Sequence, residues 1–167
     1  PNSDRLQIWA YPGRPSYEPG ELAEFHVSTT ADSFTLTIFR DGGELEHVAV
    51  IGPVNGQWHE TPDDAPSRGC GWPIAVSLPV PLDWPPGGYL VVARAEDKRG
   101  AVSQDAFFVV RATASARTSI ALLTSTYTWN AYNDWGGANA YSAVASAADG
   151  EFSPRLSLMR PWARGLV

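Results

Sequence analysis

Lysine is almost missing from this chain. Lys98 is the single lysine among its 12 lysines and arginines, and the formal net charge over 167 residues is −6. The arginines are scattered, so no basic patch forms, and the phosphate contacts that a nucleic-acid partner requires are excluded. Cysteine is represented by Cys70 alone. No intrachain disulfide can form, which fits a reducing compartment. No apolar run approaches the ~18 residues of a membrane span. The opening PNSDRLQ lacks the charged-then-apolar layout of a signal, and a start at Pro1 is what loss of an initiator methionine leaves. A cytoplasmic chain with no membrane partner is expected. The histidines, His26, His47 and His59, include no pair at the i, i+4 spacing of a helical metal site. There is no phosphate-cradling glycine loop and no G-x-S-x-G elbow.

With 44% hydrophobic and 18% charged residues, the chain can bury a core. Its 14 prolines and 15 glycines are spread along the length, as expected for short strands separated by turns. RLQIWA (5–10), AEFHVS (23–28), FTLTIFR (34–40), EHVAVI (46–51), WPIAVSLPV (72–80), GYLVVARAED (88–97) and QDAFFVVR (104–111) read as strands. In the second of these Ala23, Phe25 and Val27 share one face, which leaves His26 on the polar face and predicts that it is solvent-exposed. The turn spacing predicts an immunoglobulin-like β-sandwich over 1–112, without the Cys…Trp…Cys pin of antibody domains. GPVNGQWHETPDDAPSRGCGWP (52–73) reads as a loop too long for a bare connector, so it is expected to cover a surface or edge a site. Cys70, between two glycines, has no nucleophile signature and is expected to be a small buried thiol.

At Ala112 the composition changes. ATASARTS (112–119) is small and polar, and Ile120, Ala121, Leu122 and Leu123 then form a continuous apolar run, as in a strand covered on both faces. YTWNAYNDWGGANAY (127–141) follows, rich in Tyr, Trp and Asn and without Leu, Ile or Val. It is expected to be a ligand-binding loop after a parallel strand. RLSLM (155–159), between Pro154 and Pro161, reads as another short strand. Residues 113–167 are therefore expected to begin an α/β domain that a second polypeptide completes.

TYTWNAYNDWGGANAYS (126–142), preceded by CGWPIAVSLPVPLDWPPGGYLVVARAED (70–97), resembles the large (beta) subunit of N,N-dimethylformamidase and its relatives. The resemblance places this chain in the N-terminal portion of that subunit. It implies a β-sandwich ahead of a glutamine-amidotransferase-like α/β domain, an amidohydrolase acting on a small amide C–N bond, and iron held by two tyrosinates and a glutamate. A phenolate is a hard oxygen donor suited to ferric iron, which brings its ionisation to neutral pH. By motif position Tyr132 is the first candidate metal ligand and Tyr141 the second. Asn130, Asn133 and Asp134 are candidates to orient the ligand or substrate. Trp129 and Trp135, together with Tyr141, are candidates to wall the substrate pocket.

Blander roles compete. Asp134 can cap a turn, Trp129 and Trp135 can pin the loop, and Gly136 and Gly137 can serve backbone geometry. Two other readings of the chain stay open. One is a processed two-chain hydrolase, free of iron, whose partner chain begins with a Ser, Thr or Cys nucleophile. The other is a non-catalytic β-sandwich module that binds carbohydrate or protein.

Overall fold

The computed structural model describes residues 4–113, 121, 123–141 and 155–163. Within them the chain is mainly β. A three-stranded sheet has the order β1 (Ile8–Pro12), β3 (Leu22–Thr29), β6 (Ile74–Pro79). A five-stranded sheet runs β2 (Ser16–Tyr17), β8 (Gly100–Val110), β7 (Gly87–Asp97), β4 (Ser33–Asp41), β5 (Leu45–Asn55). Pairing is antiparallel except where β2 meets the end of β8. Two helices complete the elements, α1 (Ala65–Arg68) and α2 (Thr126–Tyr132).

Period-2 alternation accounts for the sheets. Phe34, Leu36 and Ile38 of β4, Tyr89, Val91, Ala93 and Ala95 of β7, and Ala106, Phe108 and Val110 of β8 all face one core. Ala23, Phe25 and Val27 of β3 meet them from the other sheet. Phe108 joins the layers, lying edge-on to Phe25 at 5.8 Å and stacked on Tyr89 at 5.4 Å between ring centroids. Burying each such ring stabilises the fold by about 1.5–3 kcal/mol.

Gly56, just past β5, donates its N–H to Asp32 at 2.8 Å, and a Cβ at this position would collide with the Ala31 carbonyl oxygen. Backbone cannot yield as a flexible side chain does. Gly56→Ala should therefore lower stability by about 2 kcal/mol or more, read as a fall in the thermal midpoint, whereas Gly43→Ala, in open space, should change it little.

Several sequence expectations need correction. His26 is buried, because the second face of β3 is covered: Tyr11 stacks on its ring at 4.7 Å and its Nδ1 hydrogen-bonds with the Trp72 carbonyl at 2.7 Å. The segment 52–73 is only partly loop, since β5 runs on to Asn55 and α1 lies within it. Ala121 and Leu123 lie in no strand and are exposed, Leu123 to 93%; positions 120 and 122 fall outside the described residues. An apolar run without periodicity does not by itself define its covering. RLSLM forms no strand either. Its backbone groups bond elsewhere, Ser157 N–H to Pro66 and the Met159 carbonyl to Cys70 N–H, both at 2.8 Å. No helix among the described residues is long and apolar enough to cross a membrane.

Candidate functional site

The stretch expected to be a loop begins as a helix. α2 is built from TYTWNAY, residues of modest helix propensity, so packing must hold it. Trp129 packs edge-on against Phe107, on the outer face of β8, at 5.8 Å, and Asn130 is buried. The helix stops at Asn133, whose backbone is extended.

Asn133 then ties two segments together. Its side-chain oxygen accepts from Trp135 N–H at 3.2 Å and from Ala163 N–H at 3.0 Å, and its amide donates to the Pro161 carbonyl at 2.9 Å. Beyond it the chain turns sharply at Gly136 (φ +81°) and Gly137 (φ +99°), values open to glycine and strained for other residues. Ala140 N–H reaches back to the Ala131 carbonyl at 2.9 Å. That return brings Tyr141 over the end of α2, where its ring lies 4.8 Å from that of Tyr132. Both tyrosines are open to solvent, 64% and 60% exposed.

Arg160 fastens the turn from inside and is only 1% exposed. Nη1 donates to the carbonyls of Trp135 at 2.6 Å and Ala138 at 3.1 Å. Nη2 donates to the Asn133 carbonyl at 2.9 Å and to Asn130 Oδ1 at 3.4 Å, and Nε donates to Ser157 at 3.1 Å. Burial lowers the guanidinium to about 10, against the smaller opposing influences of Cys70 and Asp134. Sequence reasoning passed over this residue. The available signal was a cation set between Met159 and Pro161 in an otherwise apolar segment.

Beneath the turn, Trp135 is buried edge-on to Trp9 and to Trp72, each at 5.8 Å. Trp72 is fixed by its indole N–H, which donates to the Glu60 carbonyl at 2.9 Å. The 52–73 segment thus covers the seat of the site. Cys70 is buried beside it, and desolvation pushes its thiol up to about 12.

A raised thiol leaves stability intact below the ordinary value of 9.0 and removes it as pH rises toward 12. Arg160 acts in the opposite direction, and only above about 10. Between pH 9 and 10 Cys70 contributes a falling slope of at most about 1.4 kcal/mol per pH unit, and Tyr11, Tyr17 and Tyr89, whose phenols burial also raises, add to it as pH nears 10. Thermal midpoints should fall across that interval, and less steeply in Cys70→Ala.

The structure brings Tyr132 and Tyr141 together at the surface, with Asn130, Asn133 and Trp135 directly beneath. Asp134 is half-buried on the same turn and places negative charge near Arg160. Trp129 is directed at the sheet. The Tyr141 phenol is raised chiefly by its hydrogen bond with Tyr132, and then by the cost of like charge beside it. His59 is held apart in the loop, its backbone bonded to Ser28 of β3. Among the described residues no group of three or more His, Cys, Asp or Glu is placed to hold a metal.

A family model described as "N,N-dimethylformamidase beta subunit-like, C-terminal" matches residues 35–166. The chain belongs to that family. In this dimethylformamidase subunit-like chain the match spans the composition change at Ala112, covering the strands from β4 onward as well as the whole tyrosine-bearing turn. The family name is that of a subunit of an amide-hydrolysing enzyme, and its model is described as the C-terminal part where the resemblance points to the N-terminal portion. Comparison with curated proteins brings no match.

Proposed function

We propose that this chain is a subunit of an amidohydrolase resembling N,N-dimethylformamidase, and that it hydrolyses a small amide C–N bond at a site shared with a second polypeptide. The observation that carries this reading is the exposed pair Tyr132–Tyr141, held on a buried arginine inside the segment that matches the family. Aromatic side chains so firmly supported from below, yet open above, suit a surface that another chain closes. On this reading 1–112 is an immunoglobulin-like sandwich that supports the site, and 113–167 begins the α/β part.

The phenols fit the iron that the resemblance implies as two of its donors. They are close enough to share a hydrogen bond, and ionising both would be costly unless a cation lay between them. Tyr132 and Tyr141 would hold the metal, with the remaining donors from outside the described residues. Bound there, it would supply Lewis-acid polarisation of the amide carbonyl or a water acidified for attack. The chain's own residues do the positioning. Arg160, Asn130 and Asn133 fix the turn so that both phenol oxygens stay together, and Trp135, between Trp9 and Trp72, keeps water from undermining the seat.

The test is amine release from a panel of small N-alkylated formamides and acetamides, using the complex purified through this chain. Hydrolysis of at least one is expected. A stable complex inactive on all of them, with or without added iron, would overturn the proposal.

A further inference from the structure

A cavity lies away from the tyrosine pair. Its volume is about 360 Å³, and it lies between two open strand edges. β1 is the outer strand of its sheet, and β2 pairs with β8 only at Val109 and Val110, so among the described residues the 100–108 stretch of β8 has no ladder-paired strand on that side. Gln104 bridges the edges, its Oε1 accepting from Ala10 N–H at 2.7 Å and its Nε2 donating to the Asp105 carbonyl. Its amide is thereby engaged at both ends and has little left to offer a ligand.

What the cavity presents is two indoles and one carboxylate. Trp9 and Trp162 line it together with Leu6 and Val102. Trp9 is edge-on to Trp135, and the backbone on either side of Trp162 is fixed, the Pro161 carbonyl and the Ala163 N–H both hydrogen-bonding with the Asn133 side chain. Asp105 is the charged side chain in the lining. It is half-buried, and its carboxylate makes no hydrogen bond or ion pair among the described residues. The nearby Arg14 belongs to a separate small cavity and is paired with Glu21 at 3.2 Å.

We propose that this cavity is a binding site for small alkylammonium ions. A half-buried carboxylate with no partner among the described residues favours a cation, and an indole face turned to it adds cation–π attraction. Apolar walls favour alkylated nitrogen over the strongly hydrated ammonium ion. The same recognition by aromatic faces and a carboxylate would be poorly matched to neutral amides or to anions. The site goes beyond the amidohydrolase reading and does not depend on it: Trp9 and Ala163 of its lining also brace the tyrosine turn, but the carboxylate and indole that the proposal tests, Asp105 and Trp162, are not among the residues assigned to that site.

The test is a ¹H–¹⁵N NMR titration of the full chain, or of the complex it purifies in. The probes are dimethylammonium and tetramethylammonium chlorides at constant ionic strength, with neutral N,N-dimethylformamide alongside. Saturable shifts are expected at Ser103, Gln104, Asp105 and the Trp162 indole N–H for the cations, with Kd of roughly 1–10 mM. Asp105→Asn should weaken cation binding about tenfold, and Trp162→Leu should weaken it as well, with thermal midpoints close to the parent's. No saturable shift at these residues, equal binding of the neutral amide, or unchanged affinity in folded Asp105→Asn would each overturn the proposal. The amidase assay is unaffected by any of these outcomes.

Discussion

Arg160→Met is expected to lower stability by about 3–5 kcal/mol, by analogy with the loss of a buried charged hydrogen-bond donor. For a chain of this size that corresponds to a fall in thermal midpoint of roughly 10 °C. Methionine keeps most of the apolar stem but supplies no donor. The carbonyls of Trp135, Ala138, Asn133 and Ser157 would lose their partner in a place where water has little access. Each unsatisfied buried acceptor costs about 1–3 kcal/mol, reduced where the turn can relax outward. Arg111→Met provides the contrast. Arg111 reaches Glu18 and Glu21 at 3.3 and 3.5 Å with its side chain 45% exposed, so its loss should cost under about 1 kcal/mol. Calorimetry of both variants decides the matter: equal, small shifts would mean that the buried arginine does not hold the turn.

The second large effect concerns chemistry. Tyr132→Phe should leave the thermal midpoint nearly unchanged, since the phenol is exposed and the ring-to-ring contact with Tyr141 survives. Amide hydrolysis by the complex should nevertheless fall about a hundredfold or more in kcat, the scale of losing an electrostatic contribution worth several kcal/mol. Tyr141→Phe should behave similarly. Tyr127→Phe is the matched control: Tyr127 is 85% exposed on the same helix and should retain activity. Parallel losses in all three variants would point to a general surface effect, and retained activity in Tyr132→Phe would remove the pair from the mechanism.

Much of the fold was legible in the sequence because alternation has a direct physical meaning. In FTLTIFR every second residue is apolar, and Phe34, Leu36 and Ile38 do face the core. What could not be read is what depends on contacts distant in sequence. His26 looked exposed because strand alternation reports which face a residue is on, not what covers that face; Tyr11 and Trp72 cover it. α2 shows no helical stripe, since its inward residues are an aromatic and an asparagine seated on Phe107 and on the Arg160 cluster. Tyr132 and Tyr141 could each be picked out by motif. That they meet depends on the turn through Gly136 and Gly137 and on an arginine that no motif marks. Asn130 and Asn133 were candidates to orient ligand or substrate. In the structure their side chains bond to the turn and to residues 156–163, so on the proposed reading they act by fixing the position of the tyrosines.

The most direct measurement is visible absorption during ferric iron titration of the purified complex, compared with the same titration of its Tyr132→Phe and Tyr141→Phe forms. A tyrosinate-to-iron charge-transfer band that saturates near one iron per chain in the parent, and weakens or disappears in both variants, is the expected result. A parent complex that hydrolyses amides yet develops no such band, or a band of equal strength in both variants, would contradict the assignment of Tyr132 and Tyr141 as paired oxygen donors.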